Sequence, residues 1–156
     1  MKRFLITAAL SSMFISPVLG ATTDSFLLEG IVPKVQSIEI TPSPVHDNLN
    51  LSQTFNDLVV AEVLEKSNSA SGYQIVVESQ NGGQLENGQL DSLSYTMKYD
   101  GTDVNLTSGS VTLSTTNVFN TGGKVSEIMI SYVGKDASEM IEGSYTDTVT
   151  VSIVSN

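Results

Sequence analysis

The chain has 156 residues, no cysteine, and 7 Lys+Arg against 17 Asp+Glu, a net charge of −10. So acidic a chain lacks the basic footprint of a nucleic-acid binder, and anionic membrane surfaces repel it. Without cysteine there is no disulfide framework, thiol nucleophile or thiolate metal site, yet 40% hydrophobic residues mark a chain that folds.

Met1-Lys2-Arg3 leads into an apolar run from Phe4 to Ile15, then Pro17 and the small-residue site Val18-Leu19-Gly20-Ala21. That is the order of a secretory signal peptide. A spanning helix needs about 20 apolar residues. This run is shorter and is followed by Ser16 and Pro17. Residues 1–21 are therefore expected to be a signal peptide, and the mature chain to be exported with no membrane span.

From Thr22 onward no stretch carries a helical period, whereas alternation of apolar and polar residues recurs. Phe26, Leu28, Gly30 and Val32 form the first every-second-residue series, ended by Pro33. Weaker strands are expected over Gln36 to Ile40 and Leu58 to Leu64, with Pro42 and Pro44 breaking the chain between them. Tyr73 to Ser79 alternates through Tyr73, Ile75 and Val77, and Leu93 to Tyr99 through Leu93, Tyr95, Met97 and Tyr99. Short strands are expected over Val104 to Leu106 and Ser110 to Leu113. Ser126 to Tyr132 presents Ile128, Ile130 and Tyr132. Tyr145 to Ile153 is the clearest, with Tyr145, Val149, Val151 and Ile153 against Thr146, Thr148, Thr150 and Ser152.

Turn residues separate these runs. Asn81-Gly82-Gly83, Asn87-Gly88, Asp100-Gly101 and Gly122-Gly123 supply positive φ. Asp100-Gly101 reads as the turn of a hairpin spanning Tyr95 to Leu106. Six to eight short strands with polar turns predict an all-β fold, an antiparallel β-sandwich.

The catalytic inventory is thin. The single histidine, His46, lies in a Pro-rich loop, and no serine has a nucleophile-elbow context. No pair of carboxylates stands out from a solvated surface. Asp100, Asp103 and Asn105 carry oxygens of the kind that bind calcium, but their spacing is that of ordinary Asx turns. The expectation is a chain that is not an enzyme and uses no cofactor.

Two edges attract attention instead. Tyr145 to Ile153 has no Lys or Pro to blunt it, and its outer side is expected to lack a partner strand. Such an edge is a template for strand addition. The alternating segment from Phe26 to Val32 has the complementary form, with Gly30 where the backbone passes closely over a shallow pocket.

The stretch Gly143-Ser144-Tyr145-Thr146-Asp147-Thr148-Val149-Thr150-Val151 resembles the G-[ST]-Y-[ST]-D-T-V-T-V ending of chaperone–usher pilus subunits. The match is to the archaic branch, which includes spore coat protein U-like domains. Gly143 also stands fourteenth from the C-terminus, where classical pilins place a glycine. The chain departs from the family in having Ser155 in place of a penultimate Tyr and no disulfide. The resemblance implies an immunoglobulin-like sandwich over residues 36–156 that lacks its final strand. A periplasmic chaperone would lend a strand, and an outer-membrane usher would pass the subunit to a fibre at the cell surface. There, the N-terminal extension of a like subunit, residues 22–35, would replace it. Phe26, Leu28, Gly30 and Val32 would be the donor residues, and Gly143, Tyr145, Val149, Val151 and Ile153 the acceptor edge and groove.

The alternation alone admits another arrangement, because a donor strand and an internal strand obey the same period. Phe26 to Val32 would then complete its own sandwich. The chain would be a monomeric secreted binding module for a carbohydrate or protein, using the loops Asn81 to Leu90 and Ser114 to Gly123.

Overall fold

The computed structural model describes residue 20 and residues 22–88, 90–114 and 120–156. Most of the expected signal peptide, and residues 115–119 of the segment expected as a loop from Ser114 to Gly123, lie outside the described residues. The chain divides into two units, Met1–Val32 and Pro33–Asn156. In the first, residues 22–32 form neither helix nor strand, and every one of them is exposed.

The second unit is an antiparallel all-β sandwich. Its strands are β1 (Gln36–Pro42), β2 (Phe55–Ser67), β3 (Tyr73–Ser79), β4 (Gln84–Asn87) and β5 (Asp91–Tyr99). There follow β6 (Thr102–Val104), β7 (Ser110–Ser114), β8 (Asn120–Tyr132) and β9 (Val149–Ser155). The larger sheet runs β1-β2-β8-β5-β4, with β6 also paired to β5, and the smaller runs β7-β3-β9. None of the described helices is long and apolar enough to cross a membrane.

Alternation explains the layers. On β3, Tyr73, Ile75 and Val77 are buried, as are Leu93, Tyr95, Met97 and Tyr99 on β5. These inward series meet Ala61 and Val63 of β2 and Ile128, Ile130 and Tyr132 of β8 in one core. The hairpin at Asp100-Gly101 is present as β5–β6, pairing Tyr99 with Thr102 and Met97 with Val104. Both turn residues take positive φ, 49° at Asp100 and 76° at Gly101, which matches the strand twist. Leu106, expected to end that second strand, instead enters a short 3₁₀ turn capped by the Asn105 side chain.

Three expectations need correction. Gly122-Gly123, expected as a turn, lies within β8. The expected loop Asn81 to Leu90 contains β4, whose four residues bury only one large apolar side chain, Leu85, and so carry little alternation. β9 begins at Val149, not at Tyr145. Before it, Thr146 forms an isolated bridge with Glu86 of β4. The chain thus pairs with the larger sheet at Thr146 and with the smaller from Val149, so the two halves of the alternating run belong to different ladders.

Inside the core, Glu65 continues the inward face of β2 and is 0% exposed. Three hydroxyls hold it. Tyr73 donates to Oε2 at 2.7 Å, and Ser126 and Tyr99 donate to Oε1, the former at 2.7 Å. A buried carboxylate needs such donors to replace its hydration. The same contacts, with burial foremost, push the Tyr73 and Tyr99 hydroxyls far above the usual tyrosine range.

Candidate functional site

β9 is paired on one side only. Val149 to Ser155 run antiparallel to Ser79 to Tyr73, and among the described residues no strand pairs with its other edge. β1 is the outermost strand of the larger sheet, joined to β2 from Gln36↔Ser67 to Pro42↔Ala61. These two edges border one cleft.

The cleft is closed at one end and open at the other. At the closed end, Ser155 Oγ donates to Gln36 Oε1 at 2.9 Å, and Lys34 Nζ donates to the same Ser155 oxygen. Farther along, the strands part around a cavity of about 220 Å³. β1 contributes Ile40 and Pro42, and β9 contributes Val149 and Val151. Ala61, Met97, Ile128 and Ile130 of the larger sheet form the floor. Ile40 pairs with the fully buried Val63 and so faces inward, yet it is 40% exposed. An apolar side chain on a core face is left uncovered there, and covering such surface gains about 25 cal/mol per Å².

The open end is held by Asp147, in the crossing between sheets. Asp147 Oδ2 accepts from Tyr95 Oη and from Ser79 Oγ, each at 2.6 Å, and Oδ1 accepts from Asn81 N at 3.0 Å. One carboxylate thus ties the root of β9 to β5, to β3 and to the β3–β4 turn. Burial first, then this bond, raises the Tyr95 hydroxyl far above its usual range. Beyond Asp147 the cleft continues into a more polar cavity bordered by His46, Asp47, Asn48, Ser144 and Thr146.

The residues expected to form an acceptor edge are only partly brought together. Val149, Val151 and Ile153 share the inward face of β9, opposite Ser79, Val77 and Ile75. Val149 and Val151 line the cleft cavity. Tyr145 lies outside β9; its hydroxyl donates to Asp91 Oδ2 at 2.6 Å. That bond is the leading reason the Asp91 carboxyl is held below its usual range. Gly143 has a φ of 149°, and a Cβ there would stand 2.6 Å from the Asn87 amide nitrogen. The Asn87 amide meanwhile donates to the carbonyls of Ile141 and Glu142.

The expected donor residues lie in the first unit. Phe26 and Leu28 are each 82% exposed and Val32 is 84% exposed. Gly30 has nothing within 4 Å of a Cβ position. In the second unit, the Asn68 side chain grips the residues that follow. Its Oδ1 accepts from Val35 N at 2.7 Å, and its Nδ2 donates to the Pro33 carbonyl at 2.8 Å.

Sequence reasoning missed half of this cleft. Ile40, at the end of an expected strand, and Pro42, His46 and Leu49, in the expected Pro-broken segment, all border it. Ile38, Ile40 and Pro42 alternate, which was the available signal. His46 Nδ1 donates to the Ser43 carbonyl at 2.8 Å, which orients the ring at the cleft wall. Asp100 is paired with Lys124 at 2.7 Å, and the Asn105 side chain accepts from Thr107. Among the described residues no three His, Cys, Asp or Glu side chains are grouped to hold a metal. All four tyrosines of the apolar series, Tyr73, Tyr95, Tyr99 and Tyr132, are buried.

No protein-family model matches the chain, and a search of curated proteins returns no match.

Proposed function

We propose that the chain is the structural subunit of a surface or secreted fibre, assembled head to tail by strand addition. In this reading the sandwich is immunoglobulin-like and lacks a strand between β9 and β1. The segment Phe26 to Val32 of a second copy fills the cleft. One observation carries the reading: an uncovered apolar cleft beside an unpaired strand edge, in a chain whose own alternating segment leaves Phe26, Leu28 and Val32 more than four-fifths exposed. Burying each of those side chains contributes about 1.5–3 kcal/mol. Each new backbone hydrogen bond adds about 0.5–1.5 kcal/mol net. A contact between the extension of one copy and the cleft of another is heterologous, so it propagates as an open filament.

The expected signal peptide over residues 1–21 supports export, and a chain with no cysteine folds in an oxidising compartment without disulfides. The likeness to chaperone–usher subunits adds a periplasmic chaperone and an outer-membrane usher as partners in transit. The test is deletion of Thr22 to Val32. The mature full chain should form a ladder of multimers on a gel run without heating. The deleted chain, kept folded with a synthetic peptide of residues 22–33, should remain monomeric. A ladder formed by the deleted chain would overturn the proposal.

A further inference from the structure

We infer that the closed end of the cleft is a carboxylate site, that Asp24 of a second copy occupies it, and that this contact sets the register of the incoming strand. The inference rests on the proposed strand addition and makes it specific.

Three polar groups converge there. Lys34 Nζ and Ser155 Oγ are bonded to each other, and Ser155 Oγ is also bonded to Gln36 Oε1. Gln36 Nε2 is withdrawn from solvent and has no hydrogen-bond partner. A buried amide donor left unpaired is costly. Lys34 has no carboxylate within ion-pair distance among the described residues, although Lys98 and Lys124 are paired with Asp57 and Asp100. In a chain with 17 acidic side chains, an ammonium without an acid partner beside an orphaned donor suits an incoming anion.

The extension supplies one at the right position. Asp24 is exposed, and among the described residues its side chain accepts from the neighbouring Ser25 N alone. It has the same parity as Phe26 and Leu28, so in an extended strand it points to the same face. An antiparallel strand with Asp24 opposite Ser155 places Phe26 opposite Ile153, Leu28 opposite Val151 and Gly30 opposite Val149. Leu28 then enters the cavity between Ile40 and Val151, where the empty apolar volume lies. A shift of two residues in one direction puts Asp24 against Ile153, an apolar site. A shift in the other puts Gly30 opposite Val151 and leaves the cavity underfilled. Reversing the strand brings Asp24 toward Asp47 at the open end, where like charges repel.

The absence of cysteine allows a direct test of register on the mature full chain. In the inferred register Leu27 faces Ser152 on the outer side. Leu27→Cys with Ser152→Cys should give disulfide-linked multimers on mild oxidation. Leu27→Cys with Thr150→Cys, or with Val154→Cys, should not, because residues displaced by two positions lie about 7–8 Å apart or more, beyond disulfide reach. Adding Asp24→Lys should slow the 27–152 linkage about tenfold, and a further Lys34→Asp should restore it. Linkage through 150 or 154 overturns the register while leaving strand addition intact. Linkage at 27–152 that is indifferent to Asp24→Lys overturns the carboxylate site. A 27–152 bond formed within a monomer, or no linkage in any pair, overturns the polymerisation itself.

Discussion

Tyr95 donates its hydroxyl to Asp147 Oδ2 at 2.6 Å, joining β5 of the larger sheet to the residue that leads the chain into β9 of the smaller. The same oxygen takes the Ser79 hydroxyl. This contact holds the open end of the cleft without a side chain filling the cavity beside it.

Asp147→Ala is expected to lower stability markedly, because Tyr95 and Ser79 are both buried. Each hydroxyl left unpaired costs about 1–3 kcal/mol. Tyr95→Phe removes a single donor and should cost less. In a double-mutant cycle by urea denaturation the two changes should be non-additive, since they share one bond. Additivity would mean that Asp147 acts through some other partner.

Glu65 predicts an alkaline limit. The Tyr73 and Tyr99 hydroxyls are raised above their ordinary value of 10.0, burial being the main cause and Glu65 the next. Their contribution is therefore fully present below about pH 10, the unfolded value, and is lost as pH rises above it. Urea midpoints should hold from pH 7 to 9 and fall beyond pH 10. Tyr99→Phe should lower stability by about 1–3 kcal/mol at pH 7 and weaken the alkaline decline. A decline of unchanged steepness in that variant counts against the Tyr99–Glu65 bond as its source.

Asp91 predicts an acid effect of opposite sign. Its carboxyl is held below the ordinary 3.8, first by the Tyr145 hydroxyl and then by the Ile141 and Ser92 amides. Stability from these bonds is present above about pH 4 and fades as pH falls through the depressed value. Tyr145→Phe should move the Asp91 titration, followed by carboxyl NMR, upward toward 3.8. An unmoved titration would show that the backbone amides alone set it.

Leu28→Asp separates assembly from folding. Leu28 is 82% exposed in the first unit, so the change should leave the denaturation midpoint of the monomer within about 0.5 kcal/mol. It should abolish the multimer ladder, because a carboxylate would have to enter the apolar cavity. Retained multimers would argue that assembly does not use the cleft.

The strands with strict alternation were legible. Tyr73 to Ser79 is found with the expected limits, and Asp100-Gly101 makes the expected turn. What periodicity reports is which face of a strand is apolar, not which edges meet. Gln36 and Ser155 stand 119 positions apart, and nothing local to either announces the other. The run from Tyr145 to Ile153 misled for a related reason. Its apolar series is interrupted at Asp147, and there the ladder changes, since Thr146 bonds to Glu86 and Val149 pairs with Ser79. Glu65 also escaped notice, although an acid two residues after Val63 on an inward face was the sign of a polar centre in the core.

The grip of Asn68 on Pro33 and Val35 has a mechanical consequence. A pull on the chain ahead of Pro33 is delivered at the head of β1, next to the Gln36–Ser67 pair that begins the β1–β2 ladder. Force transmitted along β1 loads all seven residue pairs of that ladder lengthwise and together. In the proposed fibre the extension would therefore be anchored in shear, across the seven pairs together, and not by peeling.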